Sequence, residues 1–135
     1  MRVFLDTNVI FAAIASRGLC ADLMRALLAD HDVVIGEPVL VELRRNLAAK
    51  LRLGPPRIDE ALSFLDDLEH VPAAGRSSPA PAGVGAADAA ILECAAQAAA
   101  DAFVTGDQAL LALTAYRGMP VLSPRALWSQ LRVRT

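Results

Sequence analysis

Hydrophobic and polar residues alternate along the chain in blocks, and the blocks predict an order of strands and helices. Val3, Phe4 and Leu5 form a short run, apolar on both faces, that ends abruptly in Asp6-Thr7-Asn8. Such a run suits an inner strand of a parallel sheet covered by helices on both sides. Val9 to Ala15 stay apolar and predict a helix starting near Thr7, broken by Arg17-Gly18. In residues 20–30, Leu23/Leu27 and Met24/Leu28 stand four apart, the spacing of a helix face. Val33-Val34-Ile35-Gly36 predicts a second buried strand, and Pro38 fits the first turn of the helix after it.

That third helix, about 38–53, places Leu40, Leu43, Leu47 and Leu51 on one stripe, with Glu42 and Asn46 well away from it. Gly54-Pro55-Pro56 stops it. Ile58, Ala61, Leu62, Leu65 and Leu68 carry a further helix, so 38–68 reads as a helical hairpin with an acidic outer face (Asp59, Glu60, Asp66, Asp67, Glu69). His70-Val71 is a candidate edge strand. Residues 72–87, rich in Ala, Pro, Gly and Ser, read as a loop. An alanine-rich helix follows over about 86–99, then a strand at Ala102-Phe103-Val104-Thr105. Gly106-Asp107 opens a helix with Leu110, Leu111 and Leu113. Val121-Leu122 makes a last strand, and Ser123-Pro124 starts a closing helix bearing Leu127, Trp128 and Leu131. Strands separated by helices throughout predict a parallel Rossmann-like sheet in a three-layer α/β/α sandwich. The 135 residues are expected to form a single domain, 1–135.

Composition narrows the function. Apolar residues make up 55% and aromatics 4%, so the core is aliphatic. The net charge of −2 gives no whole-molecule case for nucleic acid, which leaves any such role to a local site. Lys50 is the only lysine; Arg17, Arg45, Arg52 and Arg76 are candidate phosphate contacts. Cys20 and Cys94 lack Cys-x-x-Cys spacing and read as reduced, buried thiols of a cytoplasmic protein. No apolar stretch reaches the ~18 residues of a membrane span, and no signal-peptide pattern opens the chain.

Four carboxylates fall where a strand ends or a helix begins: Asp6, Glu42, Asp88 and Asp107. Each also has a plain structural reading. Asp6 and Asp107 suit helix caps, Asp88 suits the dipole of a helix start, and Glu42 suits an exposed helical position. Asp6 follows Val-Phe-Leu directly, so it is expected to be buried and to need a partner. Should the four converge, two unit charges ~4 Å apart repel by roughly 4 kcal/mol at an effective dielectric of ~20. A divalent cation removes that repulsion, and oxygen-only ligands favour Mg²⁺ or Mn²⁺ over zinc. His31 and His70 have no ligand spacing and read as surface residues. There is no nucleophile elbow and no phosphate-binding Gly-rich loop, and Gly83-Val84-Gly85 reads as flexible loop.

Leu5-Asp6-Thr7-Asn8, Val41-Glu42-Leu43, Asp88-Ala89-Ala90-Ile91 and Val104-Thr105-Gly106-Asp107 stand in the order and rough spacing of PIN domains. The chain resembles their VapC-like toxin branch over nearly its whole length. The resemblance implies a metal-dependent ribonuclease in which Asp6, Glu42, Asp88 and Asp107 are the acidic quartet. Asn8 and Thr105 match the polar positions that orient those acids. It also implies a homodimer and a small antitoxin partner, both served by the hairpin at 38–68. The chain departs from relatives in one place: Gly83-Val84-Gly85-Ala86-Ala87 leads to Asp88 without the acids often found there.

The expected activity is that of a Mg²⁺- or Mn²⁺-dependent endoribonuclease, the toxin of a type II toxin–antitoxin pair. The metal is expected between the ends of the first and fourth strands, where it would activate a water for in-line displacement at RNA phosphodiesters. Two other readings stay open: a PIN-like binding module that has lost catalysis, and a PIN ribonuclease of RNA processing with no antitoxin. A phosphatase of the haloacid-dehalogenase type also begins with a strand ending in aspartate. Its chemistry needs a second aspartate two residues on, where this chain has Asn8.

Overall fold

The computed structural model describes residues 1–75 and 79–133. Arg76 and part of the 72–87 loop therefore lie outside the described residues. The chain runs β1 (Arg2–Leu5), α1 (Thr7–Ala15), α2 (Leu19–Asp30), β2 (Asp32–Gly36), α3 (Glu37–Leu51) and α4 (Pro55–Leu62). A 3-10 turn (Ser63–Leu65), β3 (Glu69–Val71), α5 (Ala86–Gln97), β4 (Ala102–Val104) and α6 (Gln108–Leu111) follow, then β5 (Ala115–Tyr116), β6 (Met119–Leu122) and α7 (Pro124–Val133).

The six strands form one sheet in the order β3-β2-β1-β4-β6-β5. All neighbours are parallel except β5 and β6. The expected α/β fold with a Rossmann-like sheet is therefore present, with an antiparallel edge that the expectation of a parallel sheet did not include. β1 lies inside the sheet because its side chains leave no polar face: Val3, Phe4 and Leu5 are fully buried. Phe4 stacks on Phe103 of β4 with ring centroids 5.6 Å apart. From β1 the chain builds outward through β2 to β3, then crosses to β4 and builds the other way. The β1–β4 junction is thus the point where strand order reverses, and ligands of open α/β sheets bind outside the strand ends there.

Gly36 joins β2 to α3 where the chain passes close to β1 and α5. A Cβ there would stand 2.6 Å from Phe4 Cζ and 3.2 Å from Cys94 Sγ. The helical hairpin is present but differs from the prediction at its far end. Pro55 and Pro56 do not merely stop α3; they occupy the first turn of α4, where a missing N–H is no loss. The second arm then tightens into the 3-10 turn instead of continuing as α-helix to 68. Cys20 is half-buried rather than buried, and both cysteines are free thiols.

Candidate active site

Asp6 ends β1 and caps α1 in the same step. Its Oδ1 accepts from the Thr7 backbone N–H at 2.8 Å. Its Oδ2 accepts from the Thr105 hydroxyl at 2.8 Å and from Asn8 Nδ2 at 3.1 Å. Three of the roughly four lone-pair positions of a carboxylate are therefore used by protein donors, and one remains. At 4% exposure Asp6 is as buried as the preceding Val-Phe-Leu run demands.

These bonds continue across the β1–β4 junction. Asn8 Oδ1 accepts from the Gly106 backbone N–H at 2.7 Å. The fully buried Thr105 donates to Asp6, and its Oγ1 accepts from the Asp107 N–H at 3.0 Å. Asp107 caps α6, its Oδ1 accepting from Ala109 N–H at 2.8 Å. Asn8 and Thr105 thus tie the two strand ends into one hydrogen-bonded unit with Asp6 at its centre. Gly106 suits this unit, since a Cβ there would meet Asn8 Oδ1 at 3.2 Å.

The four carboxylates singled out in the sequence line one cleft of about 230 Å³. Glu42 reaches it from α3 and Asp88 from the first turn of α5. Burial pushes the Asp6 carboxyl up from 3.8 to about 6; the bonds from Thr105 and Thr7 oppose that rise, and the charges of Asp88 and Glu42 add to it. Asp88 is also raised, first by its partial burial and then by Asp107 and Glu42. The acids therefore feel one another. Among the described residues, however, no three His, Cys, Asp or Glu side chains stand close enough to form a ready-made metal ligand set. The donor chemistry, all oxygen and partly open to solvent, fits a hard divalent cation.

Phe11, Asn46 and Lys50 also line the cleft and were not anticipated as site residues. Asn46 and Lys50 follow Glu42 at i+4 and i+8 on α3, so helical spacing alone was a signal for both. Of the candidate phosphate-binding arginines among the described residues, Arg17, Arg45 and Arg52, none lines it. Arg45 borders a neighbouring groove with Val41 and Glu42, Arg52 is the left-handed cap of α3, and Arg17 lies exposed between α1 and α2. Neither histidine lines the cleft. His70 is exposed with Nε2 at 2.8 Å from Leu65 O, whereas His31 is half-buried rather than on the surface.

A six-stranded, mostly parallel α/β sheet with an acid-lined cleft over its central strand ends defines the class of protein. The pattern of the PIN domain family matches residues 2–109, and the chain belongs to that family. Its members are nucleases that generally use divalent metal ions. Several solved structures share the fold. VapBC2 from Rickettsia felis, bound to a DNA fragment from its promoter, aligns with TM-score 0.66 at 17% identity, covering 91% of this chain and 98% of that one. FitAcB from Neisseria gonorrhoeae aligns with TM-score 0.58 at 18% identity, covering 91% and 98%. The PIN domain endonuclease Utp24 aligns with TM-score 0.54 at 25% identity, covering 90% and 84%. No curated protein matches the chain.

Proposed function

We propose that the chain is a divalent-metal-dependent endoribonuclease and the toxin of a type II toxin–antitoxin pair, acting in the cytoplasm as one PIN-like domain. The observation that carries this reading is the meeting of Asp6, Glu42, Asp88 and Asp107 at one cleft over the β1–β4 junction. Membership of a nuclease family supports the chemistry. The shared fold with VapBC2 and FitAcB supports the toxin–antitoxin biology.

Asp6, Asp107, Asp88 and Glu42 would hold Mg²⁺ or Mn²⁺, which supplies charge neutralisation at a phosphate and a more acidic bound water. The protein's part is positioning. Thr105 and Asn8 fix the rotamer of Asp6 through Oδ2, and the Thr7 N–H fixes Oδ1. The α6 cap holds Asp107 in the same way. Unneutralised, the cleft repels a phosphate, so RNA binding and cation binding reinforce each other. The exposed apolar residues of the hairpin region, Val41, Leu51 and Phe64, offer surface for a second copy and for an antitoxin.

The test is cleavage of a structured RNA in Mg²⁺ or Mn²⁺. Wild type is expected to cleave, chelator to abolish the activity, and Asp6→Ala to lower it by at least about a hundredfold. Equal cleavage by both proteins would sink the mechanism. The approach Gly83-Val84-Gly85-Ala86-Ala87, which reaches Asp88 without a further acid, favours one second reading, a PIN-like binding module with weakened catalysis. RNA binding without cleavage at saturating Mn²⁺ would establish that alternative.

A further inference from the structure

Lys50, the chain's only lysine, stands at the acid cleft without pairing with it. An ammonium beside carboxylates ordinarily forms an ion pair. Among the described residues no carboxylate lies within ion-pairing distance of Lys50. Its Nζ instead lies over the Phe11 ring, 5.3 Å from the centroid. That contact favours one direction for a long, exposed side chain, with its ammonium beyond ion-pairing distance of the acids.

Glu42, Asn46 and Lys50 rise at successive four-residue steps along α3, and all three line the cleft. Eight residues of helix span about 12 Å, a length that separates phosphates of different nucleotides. The helix face runs from carboxylate through amide to ammonium over that length. A carboxylate end suits a cation-bridged phosphate, and an ammonium end suits a bare one. We propose that Lys50 is a substrate-binding residue whose ammonium contacts an RNA phosphate flanking the one that is cut. The inference rests on the ribonuclease reading for its substrate but on different side chains for its geometry.

The experiment compares wild type, Lys50→Gln, Lys50→Arg and Arg57→Ala. Glutamine keeps much of the stem over Phe11 and loses the charge. Arg57, exposed on α4 and absent from the cleft lining, controls for loss of one positive charge elsewhere. Binding of a labelled single-stranded RNA is followed by anisotropy over a range of salt, and cleavage is followed in Mn²⁺. Lys50→Gln is expected to raise Kd and KM by about three- to tenfold and to leave kcat within about twofold. It should flatten the slope of log affinity against log salt by about 0.7, the value of one single-strand phosphate contact. Lys50→Arg should restore both, and Arg57→Ala should match wild type. An unchanged salt slope in Lys50→Gln, or an equal loss in Arg57→Ala, overturns the proposal even if the enzyme cleaves normally. A Lys50-dependent slope in a protein that cleaves nothing would leave the contact standing and the ribonuclease reading overturned.

Discussion

Asp6 serves two ends that pull its ionisation in opposite directions. Burial raises its pKa, the donors Thr105 and Thr7 hold it down, and Asp88 and Glu42 push it up again, leaving it at about 6 against 3.8 unperturbed. The folded chain therefore binds this proton more tightly than the unfolded chain does. Above pH about 6 the ionised group weakens the fold; the penalty is relieved as pH falls through 6 and gone near 3.8. That difference corresponds to roughly 3 kcal/mol. In chelator, denaturant unfolding of wild type and Asp6→Asn from about pH 8 to about pH 4 should show the difference shifting in wild type's favour by roughly 2–3 kcal/mol. A constant difference would contradict the assigned pKa. Asp6 was legible in the sequence because an acid directly after a buried run must find a partner, whereas Asn8 was legible only through the resemblance to PIN-domain motifs. Lys50 was not, because a single cation belongs to no motif and its meaning comes from Phe11 on another helix.

Among the elements, the helices and the long strands were legible because their apolar residues repeat over enough positions to fix a period. β5, only Ala115-Tyr116, is too short to show one, and it was missed. Its turn leaves a signal in the backbone instead: Arg117 and Gly118 have φ of 50° and 80°, the type I′ pattern that joins two antiparallel strands. The hairpin is fastened to α5 by the buried Glu93, which accepts from the Tyr116 hydroxyl at 2.5 Å and from Arg117 at 2.6 Å. Tyr116→Phe should lower stability by about 1–3 kcal/mol and leave RNA cleavage unchanged, since this fastening lies outside the acid cleft. Chemical denaturation beside the cleavage assay checks it. The β2–α3 joint is tighter still. Gly36→Ala forces Phe4 or Cys94 to move and should cost about 1–3 kcal/mol in the same denaturation assay. That requirement could not be read from Val-Val-Ile-Gly, because it depends on how closely β1 and α5 pass.

In the molecule as a whole, the sheet order explains why residues nearly a hundred positions apart share one site. β1 and β4 are neighbours at the point of reversal, so the loop after each opens over the same edge. The four acids were legible as a set only through four short motifs taken together; the cleft they line required the fold. With a net charge of −2 and an acid-lined cleft, RNA at the cleft itself is attracted by Lys50 and by whatever cation the cleft takes up. The proposed homodimer would cover exposed apolar side chains such as Val41, and light scattering after gel filtration should then give the mass of two chains. A mass of one chain at micromolar concentration would rule the homodimer out. Everything in the catalytic account depends on the cleft binding a divalent ion. Calorimetric titration of Mn²⁺ into the metal-free protein should give saturable heat at or below millimolar concentration, lost in Asp6→Asn and Asp107→Asn. No heat from wild type at millimolar Mn²⁺, or equal heat from all three proteins, would contradict it.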